Sequence, residues 1–207
     1  MNLLLSVVIG YVFGSMHGSQ LIGKLKNIDI KGTGLKNAGA SNTTMLLGWK
    51  YGIAVALIDI LKGTIAVVFI KIVLVKLGVG SDTQPVFVYL GALAIVLGHN
   101  FPFTMRFKGG KGTASMVGIL LALQWQLALV SIGVLLLFAL SSGFLVIGVL
   151  FMYAAFVTGT YVLYGLVPAI TAFIMLALSV VMHRENFLRI YNKEEKKIAS
   201  FFKKGVE

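Results

Sequence analysis

The sequence predicts an all-α integral membrane protein: a compact bundle of about seven transmembrane helices, N-terminus outside and C-terminus cytoplasmic. Three observations carry that reading. The 207 residues are 58% hydrophobic and 12% charged, whereas a soluble domain has about 25% charged residues. Too few polar groups remain to cover a globular core. Apolar runs of spanning length follow one another closely, since a membrane helix needs about 20 such residues. The 18 Lys and Arg residues face only 7 acids and fall mainly in three blocks. Cys is absent, which argues against a secreted disulfide scaffold.

The first apolar run covers roughly residues 2–23. It has no basic leader, and polar His17 and Gln20 stand near its inner end, so it does not read as a cleavable signal peptide. Gly10, Gly14 and Gly18 recur at every fourth position, a surface that lets helices approach closely. A polar segment follows, with Lys24, Lys26, Lys31, Lys36 and Lys50 opposed only by Asp29. Runs of roughly 52–75 and 84–105 come next, joined by a short loop expected outside. Arg106, Lys108 and Lys111 form the second basic block.

Between Gly112 and His183 no charged residue occurs. That stretch leaves and returns to one face, so it holds an even number of crossings. At about 20 residues each it holds between three and four. Breaks at Gln124-Trp125-Gln126, Ser141-Ser142-Gly143 and Gly159 to Pro168 favour four, hence seven in all, with five the alternative. Short loops rich in Lys and Arg stay cytoplasmic. Loops 24–50 and 106–112 and the basic tail 184–207 therefore belong to the inner face of a single polytopic domain, 1–207. The tail reads as a segment resting on anionic membrane lipids; nothing accompanies its charge that would mark a nucleic-acid partner.

The richest chemistry lies in Gly98-His99-Asn100-Phe101-Pro102 and Phe107-Lys108-Gly109-Gly110-Lys111-Gly112-Thr113. Glycines around a lysine at the start of a helix suit phosphate. Their backbone N–H groups can turn toward an anion, the helix N-terminus adds positive potential, and lysine adds a full charge. A Walker A loop is excluded, because Met105 and Gly112 stand where it needs Gly and Ser or Thr. The first polar segment repeats the theme with Gly34, Lys36, Asn37, Gly39, Ser41 and Asn42, and a short helix is expected over 40–48. Asp59 and Lys62, spaced i, i+3, share a helix face; they read as a structural ion pair or as a wall of the site. His183 and Asn186 end the last apolar run. No Cys nucleophile exists, and His17, His99 and His183 lack paired metal-ligand spacing, so neither a metal nor a cofactor is expected.

At these residues the chain resembles the bacterial acyl-phosphate:glycerol-3-phosphate acyltransferase family over nearly its whole length. The resemblance rests on Gly34 to Asn42 followed by Asp59-Ile60-Leu61-Lys62-Gly63, on Gly98-His99 through Gly112, and on His183-Arg184-Glu185-Asn186. It implies a seven-helix fold in the bacterial plasma membrane with a cytoplasmic active site. The implied reaction moves a fatty acyl group from acyl phosphate to the 1-hydroxyl of glycerol 3-phosphate, giving lysophosphatidic acid for phospholipid synthesis. By similarity Lys111 and Lys108 hold phosphate with the glycines around them. His183 and Asn186 position the acceptor, and His99, Asn37 and Asn42 shape the pocket.

The first motif departs from the family pattern. Leu35 replaces a serine, Lys36 replaces a glycine, Ser41 replaces a threonine, and Met45 stands where the family has an arginine. Two donors to an anion are lost, and Lys36 restores one charge without the bidentate geometry of Arg. Three readings follow. The first is an active acyltransferase with Lys36 compensating. The second is a divergent paralogue with another acceptor or a weak, regulatory activity. The third is a small transporter of phosphorylated solutes, against which stands the lack of an internal repeat.

Overall fold

The structure, a computed structural model, describes residues 1–201; Lys203 and Lys204 of the basic tail lie outside the described residues. All regular structure among the described residues is helical, and the chain divides into two compact units, Met1–Trp125 and Gln126 onward.

The first unit contains α1 (Asn2–Gly14), α2 (Gly18–Lys26), α3 (Ala40–Leu47), α4 (Trp49–Lys76), α5 (Gln84–Asn100), a 3-10 turn at Phe103–Met105 and α6 (Thr113–Leu123). The expected first span is thus broken at Ser15-Met16-His17. A helix that stops inside an apolar bundle strands its last carbonyls and the next helix strands its first N–H groups. Here α4 supplies both partners. Lys62 Nζ donates to the Gly14 carbonyl at 3.1 Å and to the Met16 carbonyl, and Asp59 Oδ1 accepts from Gly18 N at 3.3 Å. The two side chains also pair with each other at 3.1 Å.

The glycine repeat of α1 works as its spacing predicts: Gly10 lies against the Gly91 carbonyl of α5 and Gly14 against that of Ile95. A methyl group at either position would meet backbone. Helix α6, with 11 residues, rises only about 16 Å at 1.5 Å per residue. Its last carbonyls, Ala122 and Leu123, receive the Lys71 ammonium at 2.6 and 3.0 Å.

The second unit contains α7 (Trp125–Ser142), α8 (Leu145–Tyr164), α9 (Leu166–Met182) and α10 (Arg184–Tyr191). The α7–α8 turn is made by Gly143 at φ +78° and by Ser142, whose hydroxyl accepts from Phe144 N. Gly165 at φ +80° makes the α8–α9 turn. The tail folds back, with Ile198 N donating to the Gly143 carbonyl at 2.8 Å.

The four segments expected between Gly112 and His183 are α6 to α9. Five helical segments among the described residues are long and apolar enough to cross a membrane. A sixth is reached if α9 and α10, bent by 50°, count as one. Seven is reached only by including the short α6, which ends at the break the sequence marks at Gln124.

Candidate active site

The first-motif loop is built around one side chain. Buried Asn42, in the first turn of α3, donates through Nδ2 to the carbonyls of Ile30 (2.6 Å), Thr33 (2.9 Å) and Asn37 (3.0 Å). Its Oδ1 accepts from Leu35 N at 2.8 Å. A carboxamide is suited to this, because it offers donors and an acceptor on one rigid plane. The loop turns through two left-handed residues, Gly34 at φ +65° and Lys36 at φ +51°. Lys36 and Ser41 are exposed, and Asn37 is half-buried.

The glycine loop leaves the C-terminus of α5. Arg106 and Phe107 both adopt left-handed φ, +53° and +57°, a conformation that costs non-glycine residues energy and collects at functional loops. Gly109 N donates to the Asn100 carbonyl at 3.0 Å and Gly110 N to the His99 carbonyl at 3.1 Å. The sequence expectation turned both amides toward an anion. In the structure they fasten the loop to α5, because the carbonyls of that helix end, left without intrahelical partners, take them first. At the start of α6 the first N–H groups have no carbonyl of a preceding helical turn to take them. Its N-cap is Gly112 at φ +86°, no side chain caps it among the described residues, and half-buried Lys111 precedes it. Lys108 is exposed.

The two loops meet. A Cβ on Gly110 would reach the His99 ring and come within 3.1 Å of the Ala38 carbonyl oxygen. Ser19 Oγ donates to that same Ala38 carbonyl at 3.3 Å, and Lys31 Nζ donates to the Met105 carbonyl at 2.9 Å.

His99 sits beneath this junction. Its Nδ1 accepts from Lys62 Nζ at 2.8 Å, with Ser115 Oγ 3.1 Å from the same nitrogen, and its ring stacks on His17 with centroids 4.5 Å apart. Two groups compete for one lone pair and all are buried, so Ser115 and His99 form a scaffold and not a nucleophile pair. Asp59 and Lys62 belong to that scaffold, which holds the junction from below.

In the second unit, buried His183 donates from Nδ1 to the Ser179 carbonyl at 2.9 Å. A carbonyl only accepts, so Nδ1 carries a proton. Asn186 Nδ2 donates to Glu195 Oε1, and Arg189 Nε donates to Glu195 Oε2, both at 2.6 Å. The sequence reading missed Glu195, Arg189, Ser115 and Lys71. An acid within the basic tail and a lysine within an apolar run were the available signals.

The profile of the glycerol-3-phosphate acyltransferase family matches residues 4–193. A protein of Oceanobacillus iheyensis named glycerol-3-phosphate acyltransferase 1 is 50% identical over 204 residues, 99% of either chain. One of Thermotoga maritima, named glycerol-3-phosphate acyltransferase 2, is 37% identical over 196 residues, 94% of this chain and 95% of that one. The crystal structure of PlsY, an integral membrane glycerol 3-phosphate acyltransferase, in its glycerol 3-phosphate form superposes with a TM-score of 0.84 at 31% identity, covering 98% of this chain and 100% of that one. Its lysophosphatidic acid form gives 0.81 at 32% identity, covering 95% of each.

Proposed function

The chain belongs to the glycerol-3-phosphate acyltransferase family, and from that premise we propose that it acylates the 1-hydroxyl of glycerol 3-phosphate with acyl phosphate as donor. The observation that carries this reading is the Lys108–Gly112 loop, which opens α6 and packs against the first-motif loop at Ala38 and Gly110. A helix N-terminus with an adjoining lysine is a site for a phosphate dianion. Lys36 on the neighbouring loop brings a second cation, and the reaction has two phosphate-bearing substrates.

In the reaction the 1-hydroxyl oxygen bonds to the acyl carbonyl carbon, and the bond from that carbon to the phosphate oxygen breaks. The departing phosphate takes the hydroxyl proton, so charge and atoms balance without an enzymic nucleophile. The mixed anhydride is already activated, and what remains is orientation and stabilisation of negative charge. Lys111 and the first turn of α6 hold phosphate. His183 and Asn186, the latter with its amide bonded to Glu195, position the acceptor. The product, lysophosphatidic acid, enters phospholipid synthesis. The asymmetry of Lys and Arg supports a bacterial plasma-membrane location with the N-terminus outside and the loops, tail and site on the cytoplasmic face.

The test uses purified protein in lipid with palmitoyl phosphate and labelled glycerol 3-phosphate. Lysophosphatidic acid is expected from wild type and is expected to vanish in Lys111→Ala. Folded wild type that forms no product overturns the reading. Leu35 and Met45 favour one second reading, acyl transfer to another acceptor, which the same assay reveals as acyl phosphate consumed only when that acceptor is supplied.

A further inference from the structure

Asn100 ends α5 directly beneath the glycine loop and is 1% exposed. Among the described residues neither its Oδ1 nor its Nδ2 has a hydrogen-bond partner. A buried carboxamide with both ends unmade is costly, and an apolar residue of similar volume would fill the place without that cost. The position of the amide is specific. Its own backbone carbonyl takes Gly109 N at 3.0 Å, and its Oδ1 would lie 3.1 Å from a Cβ on Gly112. It therefore faces Gly112, the residue through which the loop turns into α6. Gly112, at φ +86°, is also the residue best able to rotate its peptide groups, since it has no Cβ to oppose the change.

We propose that Asn100 is a positioning residue for phosphate binding: it leaves hydrogen-bonding capacity unused in the ligand-free loop and spends it on the loop that has closed over a phosphate. A dianion at the start of α6 draws the N–H groups of the Lys111–Thr113 segment outward. The Gly112 carbonyl stays with Met116 N at 2.8 Å; the peptide group joining Lys111 to Gly112 turns, and the Asn100 carboxamide takes its polar atom turned inward. A ligand shifts a conformational equilibrium only through such a difference between states. The inference rests on the reading of this loop as a phosphate site, and it is indifferent to whether acyl phosphate or glycerol 3-phosphate supplies the group.

The test compares wild type with Asn100→Leu and Asn100→Met, each purified at full length in lipid. The KM for glycerol 3-phosphate and the KM for palmitoyl phosphate are measured separately, which identifies the substrate that closes the loop. One of them is expected to rise about tenfold, the effect of one hydrogen bond, with kcat within about twofold of wild type. Thermal melting without ligand is expected to match or exceed wild type, whereas the rise in melting temperature produced by inorganic phosphate is expected to shrink. Two results overturn the proposal: both KM values unchanged, or a lower ligand-free melting temperature in both variants with a parallel fall in kcat. Wild type that forms no product would defeat the acyltransferase reading instead. The phosphate-dependent melting shift would still decide the role of Asn100.

Discussion

Replacing Lys62 by Met removes the ammonium that joins three helices while keeping most of its volume. The variant leaves the Asp59 carboxylate, 3.1 Å away in the native protein, without its counter-charge, and its remaining contact is a 3.3 Å bond from Gly18 N. The Gly14 and Met16 carbonyls at the end of α1 and His99 Nδ1 lose their donor as well. Removing one member of a buried ion pair costs about 3–5 kcal/mol. For a chain of this size each kcal/mol is worth about 2–4 °C, so the midpoint should fall by about 6–20 °C. Trp49 and Trp125 give an intrinsic fluorescence signal for melting in lipid nanodiscs. The double variant Asp59→Asn, Lys62→Met should lose less than Lys62→Met alone, because no buried charge remains unpaired. A single variant that melts within about 2 °C of wild type, or a double variant that melts below the single, would refute the assignment of this pair to the α1–α2 splice.

Further outcomes follow from the loops. Lys36→Gly relieves a left-handed non-glycine residue at φ +51°, worth about 1–2 kcal/mol, so it should raise the melting midpoint while raising the KM for glycerol 3-phosphate; an unchanged KM would remove Lys36 from phosphate binding. Gly110→Ala should lower kcat/KM by more than about tenfold, since its methyl group would meet the His99 ring and the Ala38 carbonyl. The control Gly133→Ala, whose methyl would meet nothing within 4 Å, should gain up to about 1 kcal/mol of stability. Leu35→Ser should leave melting unchanged and lower the KM for glycerol 3-phosphate by up to about tenfold; a KM that does not fall would place this position away from the phosphate.

The helical class and most helix positions were legible because lipid imposes one rule on every segment: long apolar runs must be helical and charges must gather at their ends. Gln124, Gly143 and Gly165 mark breaks in the structure where polar or small residues mark them in the sequence. The break at Ser15-Met16-His17 was hidden, since its compensation comes from Asp59 and Lys62, more than forty positions on by chain number. The end of α6 is marked by Gln124, but its capping by Lys71 was hidden for the same reason. Local pattern reports which residues are apolar. It does not report which distant side chain satisfies a severed helix end. At the candidate site, residue types singled out two loops that the structure brings together at Ala38 and Gly110, but not the bonds made within them. Gly109 and Gly110 have the composition of anion-binding glycines, yet the carbonyls of His99 and Asn100 take their amides.

Those bonds bear on the departures in the first motif. The loop keeps its shape despite Leu35, because the contact it makes with Asn42 runs through the backbone N–H, which any residue but proline supplies. Gly34 keeps the left-handed turn beside it, and a Cβ there would come within 2.6 Å of Asn42 Oδ1. The loss of serine is therefore a loss of one hydroxyl donor on an intact frame, not a loss of the frame. Met45, half-buried on α3, removes a guanidinium and leaves the helix that carries Asn42 in place. Under the proposed function, anion binding would depend on charge from lysines, which attract phosphate without fixing its orientation as an Arg fork does. If the proposed function holds, orientation comes from backbone at the start of α6, where Gly112 lies close to the unpartnered carboxamide of Asn100. On the proposed reading, the burden of holding phosphate moves from side chains of the first loop toward the backbone of the second.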